Sequence, residues 1–150
     1  MGVSLRPLSF AALLLACSCA PLTYSEEGAV DFEKYSSVRV SVVSSALSSD
    51  PARYLADELA ATSGFTTVTV DPAAPVDAVL SVNLEVVYAP TVDDQGNSVD
   101  QYDGAADYTL TAGTTHVDSG QATSTNTNEI DAAQGALDGV VTHYVAPYRL

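Results

Sequence analysis

Ala78-Val79-Leu80-Ser81-Val82-Asn83-Leu84-Glu85-Val86-Val87-Tyr88 alternates along its whole length. Ala78, Leu80, Val82, Leu84, Val86 and Tyr88 fall on one side, and Val79, Ser81, Asn83, Glu85 and Val87 on the other. A period of two sends successive side chains to opposite faces, so this run reads as a strand with one dry face and one mixed face. The dry face needs a second layer over it.

Working outward, Ser37 to Val43 repeats the pattern, with Val38, Val40 and Val42 alternating with Ser37, Arg39 and Ser41. After a polar turn from Ser44 to Ser49, Asp50 can cap a helix whose first residue is Pro51, where a missing N–H has no partner to lose. Ala52, Leu55, Ala56 and Leu59 line one face at helical spacing, which predicts a helix over Pro51 to Ser63 with Gly64 as a left-handed C-cap. Phe65 to Val70 follows as a short strand, and strand, helix, strand is the order of a parallel crossover.

Downstream, a polar loop from Ala89 to Gln101 leads to a second alternation in which Gly104, Ala106, Tyr108, Leu110 and Ala112 share a face. The two long runs are expected to form a hairpin with an extended tip. Asp118-Ser119-Gly120 reads as a further turn, and Gln121 to Asn128 as a polar, threonine-rich edge strand. Asp131 with Gln134 resembles a capping box. Ala133, Leu137, Val140, Val141 and Tyr144 then form an apolar helical stripe, and Pro147 stops it.

The element order β-α-β-β-β-β-α predicts an α/β two-layer sandwich of the α+β class: one mixed sheet of four to five strands with two helices on one face. Its expected core is Val38, Val40, Val42, Leu55, Leu59, Leu80, Val82, Leu84, Tyr108, Leu110, Leu137 and Val141. The chain of 150 residues has room for one such domain, assigned to 31–150.

At the other end, Arg6 precedes an apolar run from Phe10 to Ala16 that stops at Cys17. The run is shorter than the roughly 20 residues that span a bilayer, and its length suits a cleaved signal. Leu14-Leu15-Ala16-Cys17 resembles the lipobox of bacterial lipoproteins, which implies a signal at 1–16, a diacylated Cys17 as the first mature residue, and a tether over 17–30. Cys19 is the alternative attachment residue. Ordinary secretion, with cleavage after Ser18-Cys19-Ala20, would place Pro21 first, a residue that restricts the backbone beside the scissile bond. The only two cysteines are separated by one residue, so a bridge between them would close a very small ring, and the domain must be held by its core.

Nineteen acidic residues against five basic ones give a formal charge of −14. Such a field repels phosphate backbones and anionic headgroups, which excludes nucleic acid as a partner. The acids are scattered among Ala, Val, Ser and Thr, the pattern of a solvated surface and not of a disordered tail.

Chemistry-bearing patterns are few. The loop Asp93-Asp94-Gln95-Gly96-Asn97-Ser98-Val99-Asp100, followed by Asp103, gathers oxygen ligands of the kind Ca²⁺ prefers, so Asp93, Asp94, Asn97, Asp100 and Asp103 are the candidate metal ligands. Its glycine comes too early for an EF-hand and the terminal Glu is missing. His116 and His143, the only histidines, have no cysteine in the domain at metal-ligand spacing, and each is expected as a surface or helix-end residue, His143 favoured by the helix dipole. Asp103 and Asp107 share a strand face as expected solvent-side residues. No G-x-S-x-G elbow and no glycine-rich phosphate loop is present, so no catalytic or cofactor-binding residue is assigned.

The string Val76-Asp77-Ala78-Val79-Leu80-Ser81-Val82, a helix ending in Gly64-Phe65 ahead of a strand, and the tether after Cys17 resemble the small envelope lipoproteins typified by the lipopolysaccharide-assembly lipoprotein and the curli-secretion lipoprotein. The resemblance covers most of residues 31 to 145. It implies a non-enzymatic component of an envelope assembly or transport system, anchored in the membrane by its N-terminal lipid and acting on an envelope protein partner. Ser18 after Cys17, without the acidic residue that marks inner-membrane retention in similar lipoproteins, implies the outer membrane, facing the periplasm. Scarce basic residues on the strands and loops depart from what binding lipopolysaccharide phosphates requires. The alternative function is a small-ligand or calcium-binding module using the loop at 93–103.

Overall fold

The computed structural model describes residues 30–45 and 50–145. The expected signal, Cys17, Cys19, all but the last residue of the tether, and Pro147 lie outside the described residues. The elements are β1 (Ser37–Ser44), α1 (Pro51–Thr62), β2 (Thr67–Thr69), β3 (Ala78–Tyr88), β4 (Thr91–Val92), β5 (Ser98–Val99), β6 (Tyr102–Ala112), β7 (Thr115–Asn126) and α2 (Glu129–His143). Five strands form one mixed sheet in the order β2-β1-β3-β6-β7, and β4 pairs with β5 as a separate two-stranded ribbon. This is the α+β sandwich expected from the element order.

The deciding run is β3, the central strand. It lies parallel to β1, with Val40 opposite Leu80, and antiparallel to β6, with Leu80 opposite Leu110 and Val82 opposite Tyr108. Its even-numbered residues Ala78, Leu80, Val82 and Leu84 are buried, while Ser81, Asn83 and Glu85 on the other face are exposed. Both helices lie on the buried face. There α1 covers β1 and β2, and α2 crosses β3, β6 and β7.

The α1 boundaries follow from local chemistry. Asp50 Oδ1 accepts from the Arg53 N–H at 3.1 Å, and Pro51 opens the first turn. Leu55, Ala56 and Leu59 are its buried residues. A fully buried leucine contributes about 1.5–3 kcal/mol, so Leu55 and Leu59 hold this helix down. The cap at the far end differs from expectation: Ser63 closes the helix in extended backbone, and Gly64 has no positive φ. Gly64 is small because the Phe32 ring lies directly over it. Phe32 in turn meets Phe65 edge-to-face, with centroids 5.0 Å apart, which ties the start of the domain beneath α1.

Three further expectations are corrected. The short strand after α1 is confined to Thr67–Thr69, because Phe65 turns into the core and the loop at 71–75 carries the chain away. The turn after β6 falls at Gly113, whose φ of +60° suits glycine, so Asp118-Ser119-Gly120 lies within β7. The N-cap of α2 is Asn128: its Oδ1 accepts from the N–H of Ile130 at 2.8 Å and of Asp131 at 3.3 Å. Asp131 instead sits with Glu129 in the first turn, where negative charge complements the helix dipole.

Of the expected core, all but Val42 are buried, and Val42 packs partly buried against the same cluster. Phe65 and Tyr144 add two large rings to it. The α2 side of the core is made largely of small residues. Gly104 lies against the Ala132 backbone, Gly135 against Ser124 and Gly139 against Ala122, which lets helix and sheet approach closely.

Candidate functional site

The acidic loop is a structured hairpin tip. Asp93 Oδ1 accepts from the N–H of Gln95 at 2.9 Å and of Asn97 at 2.8 Å, and Oδ2 accepts from Asn97 Nδ2 at 3.0 Å. These bonds, the side-chain donor of Asn97 foremost, hold the Asp93 carboxyl below the usual carboxylate range. Gly96, with φ of +82°, completes the turn between β4 and β5. Asp94 is exposed in the same turn, and Asp100 and Asp103 bond elsewhere. Asp100 accepts from the Tyr88 hydroxyl at 2.7 Å, and Asp103 accepts from Thr125 Oγ1 at 2.8 Å and Gln101 Nε2 at 3.3 Å. The fold thus joins Asp93 with Asn97 and separates both from Asp100 and Asp103. Among the described residues no group of three or more His, Cys, Asp or Glu side chains is placed to hold a metal ion.

The polar cluster that the fold does assemble lies at the C-terminal end of α2. Leu110 pairs with Asp118 but Thr111 pairs with His116, so Val117 is an extra residue in β7, a β-bulge. The bulge places Asp118 on the helix side of the sheet, where it is 8% exposed. His143 Nε2 donates to Asp118 Oδ2 at 2.7 Å. The Tyr108 and Tyr144 rings pack on that imidazole with centroids 5.2 and 4.9 Å away.

Burial first, and then the nearby Asp118 charge, raise the Tyr144 hydroxyl far above its ordinary pKa. That hydroxyl is fully buried and makes no well-formed hydrogen bond among the described residues. Tyr108 shifts upward for the same two reasons. The cluster sets the Asp118–His143 pair against the packed rings of Tyr108 and Tyr144. What it accomplishes is to fasten α2 to β7.

His143 therefore has a specific partner beyond the helix dipole, while His116 is exposed beside the Gly113 turn. Asp118 escaped the sequence reading because a period-two count cannot step over a bulge. Gly113, five residues earlier and better suited to a two-residue turn, was the available signal.

The sheet face opposite the helices is uncovered by any described element. Across it run the rows Ser41, Ser81, Thr109 and Ser119, then Val43, Asn83, Asp107 and Gln121. Asp107 accepts from Gln121 Nε2 at 2.7 Å, and both it and Asp103 lie on this solvent side, as their spacing predicted. A shallow depression opens where Ala105 leaves room between Glu85 and Val87 on β3 and Thr123 and Thr125 on β7. It is a surface of hydroxyls, amides and carboxylates with exposed Val43 and Val87 among them, suited to contact with another surface.

No protein-family model and no curated protein sequence matches this chain. In structure it is similar to the PelC dodecamer from Paraburkholderia phytofirmans, with a TM-score of 0.54 and 17% identity over 75% of this chain and 91% of that one. A form of the same dodecamer with one leucine replaced by methionine gives a TM-score of 0.53 and 18% identity, over 73% and 86%. The rare lipoprotein B from Shewanella oneidensis overlaps more loosely, at a TM-score of 0.39 and 14% identity over 60% and 66%. The two PelC structures share the fold of this chain, and none of these likenesses singles out the lipopolysaccharide-assembly or curli-secretion lipoproteins that the sequence resembles.

Proposed function

We propose that this chain is a lipid-anchored protein of the bacterial envelope, attached through Cys17 to the outer membrane and facing the periplasm. Its role is non-enzymatic: a structural or interaction component of an assembly or transport system, with a protein partner. The observation that carries the role is the bare face of the sheet, five strands wide, polar and shallow, with the Asp118–His143 pair engaged in packing on the other side. Leu14-Leu15-Ala16-Cys17 supports the anchor, and the distance in sequence from Cys17 to the first turn at Asp31 supports a tether that holds this face clear of a membrane.

The test is the intact mass of the protein purified from its native membrane fraction, beside a Cys17→Ser variant. An acylated mass that the variant loses, together with release of the variant from the membrane, supports the anchored reading. An unmodified mass starting at a later residue overturns it and makes the chain a secreted domain.

A further inference from the structure

The two edges of the sheet are unlike. At one, β2 has three residues, and the loop beyond it is held beside the edge by Arg39 Nη1, which donates to the Pro72 carbonyl at 2.7 Å. At the other, β7 runs for twelve residues and pairs on one side only, with β6; no strand lies along its outer side among the described residues. Proteins blunt long edges with lysine, proline, inward charges or bulges, and β7 has the last two, Asp118 and the Val117 bulge, at its first end only. From Ser119 to Asn128 this edge reads Ser-Gly-Gln-Ala-Thr-Ser-Thr-Asn-Thr-Asn, with no charge and no proline, in a chain whose formal charge is −14.

We infer that β7 is a self-association edge: a second copy of this chain pairs its β7 antiparallel to the first, joining two five-stranded sheets into one of ten strands. The part of β7 beyond Asp118, which bears no charge, is where two strongly anionic copies approach with least repulsion. A cationic partner would be drawn instead to the carboxylate-bearing face and loops.

The sequence is also self-complementary. With the twofold axis at Thr123, Thr123 faces its own copy, Ser124 faces Ala122 and Thr125 faces Gln121, all small or hydrogen-bonding pairs of the kind that stabilise neighbouring strands. The helix layer tolerates the join. Since α2 crosses β3, β6 and β7, it is centred near β6, and the two α2 helices come about three strand spacings apart, roughly 14 Å, which leaves them clear of one another. Because β2 is short and guarded, the contact is isologous and closes at two copies.

The experiment is sedimentation velocity on the full chain in detergent, with disulfide cross-linking of single-cysteine additions in native membranes. Expected are a dimer in sedimentation, and cross-linking of Thr123→Cys at least tenfold faster than of Ser41→Cys on the bare face or of the unsubstituted chain. Thr123→Asp, which sets two carboxylates face to face, is expected to give monomers that still unfold in one cooperative transition, and Thr123→Lys likewise. A monomer at high micromolar concentration overturns the inference, as does a larger ring, a dimer indifferent to both charged variants, or cross-linking faster at 41 than at 123. Detergent keeps this readout separate from the anchor, whose failure would leave the dimer in place.

Discussion

His143 Nε2 and Asp118 Oδ2, 25 residues apart in sequence, meet at 2.7 Å and join the last turn of α2 to the bulge of β7. Side-chain exposure there is 34% for the imidazole and 9% for the carboxylate, so the bond is sheltered on the acid side. Asp118→Ala should cost about 2 kcal/mol, as expected for a hydrogen bond to a charged group whose partner is left unpaired. His143→Ala should cost a similar amount, and the double variant clearly less than the two together. Urea denaturation of the four proteins checks this, and additive losses would show that the residues are not coupled.

Gly139 lies in the middle of α2, where alanine is ordinarily better by about 0.5–1 kcal/mol. Here an added Cβ would come to 2.6 Å from the Ala122 Cβ. Gly139→Ala should therefore destabilise the domain by about 1–3 kcal/mol, the usual cost of overpacking. Pairing it with Ala122→Gly should recover most of the loss in a thermal melt.

Leu59 and Val82 sit in the core from opposite layers. A carboxylate placed at either site has no partner, and desolvating it costs more than the domain's marginal stability. Leu59→Asp or Val82→Asp should abolish the cooperative transition followed by circular dichroism.

Asp77 Oδ2 accepts from the Ser37 N–H at 2.9 Å and from the Ser37 and Ser36 hydroxyls, which ties the start of β1 to the approach of β3. The backbone bond first, then the hydroxyls, lower its pKa below the ordinary 3.8. A carboxyl with a depressed folded value contributes stability above its unfolded pKa and loses it as pH falls through the folded one. Stability measured from pH 5 downward should fall less steeply in Asp77→Asn, which should start lower.

At alkaline pH the sign reverses. Burial, helped by a bond to Asp138, pushes the Tyr54 hydroxyl up to about 12, and Tyr108 and Tyr144 are raised as well. The folded protein then holds phenolic protons that the unfolded chain has released. Stability should be level below pH 10 and decline from there to about 12. Tyr54→Phe should soften that decline in urea titrations at pH 9 and 11.

Regular alternation alone makes the sheet legible: β3 has the predicted ends, and Val38, Val40, Leu80, Val82, Tyr108 and Leu110 are buried on one face. Asp50 and Pro51 mark the start of α1 for a similar reason, since capping is local chemistry. What stays hidden depends on contacts between distant parts of the chain. Val117 moves the count by one, so Asp118 reads as a turn until β6 is laid beside it. Asn128 outcompetes Asp131 as cap because the chain leaves β7 and enters α2 within two residues. The acids at 93–103 look like one ligand set in sequence, yet Tyr88 and Thr125 draw Asp100 and Asp103 away from Asp93.

The small residues between α2 and the sheet carry a consequence for how this protein can change over generations. At Gly104, Gly135 and Gly139 the neighbouring chain already occupies the place of a side chain, so any single substitution there adds bulk. On the bare face, Ser41, Ser81 and Asn83 are exposed, with room for larger or smaller side chains. Drift is thus steered to one side of the molecule: the helix side is held to small residues at these three points, while the bare face is left open to variation in size.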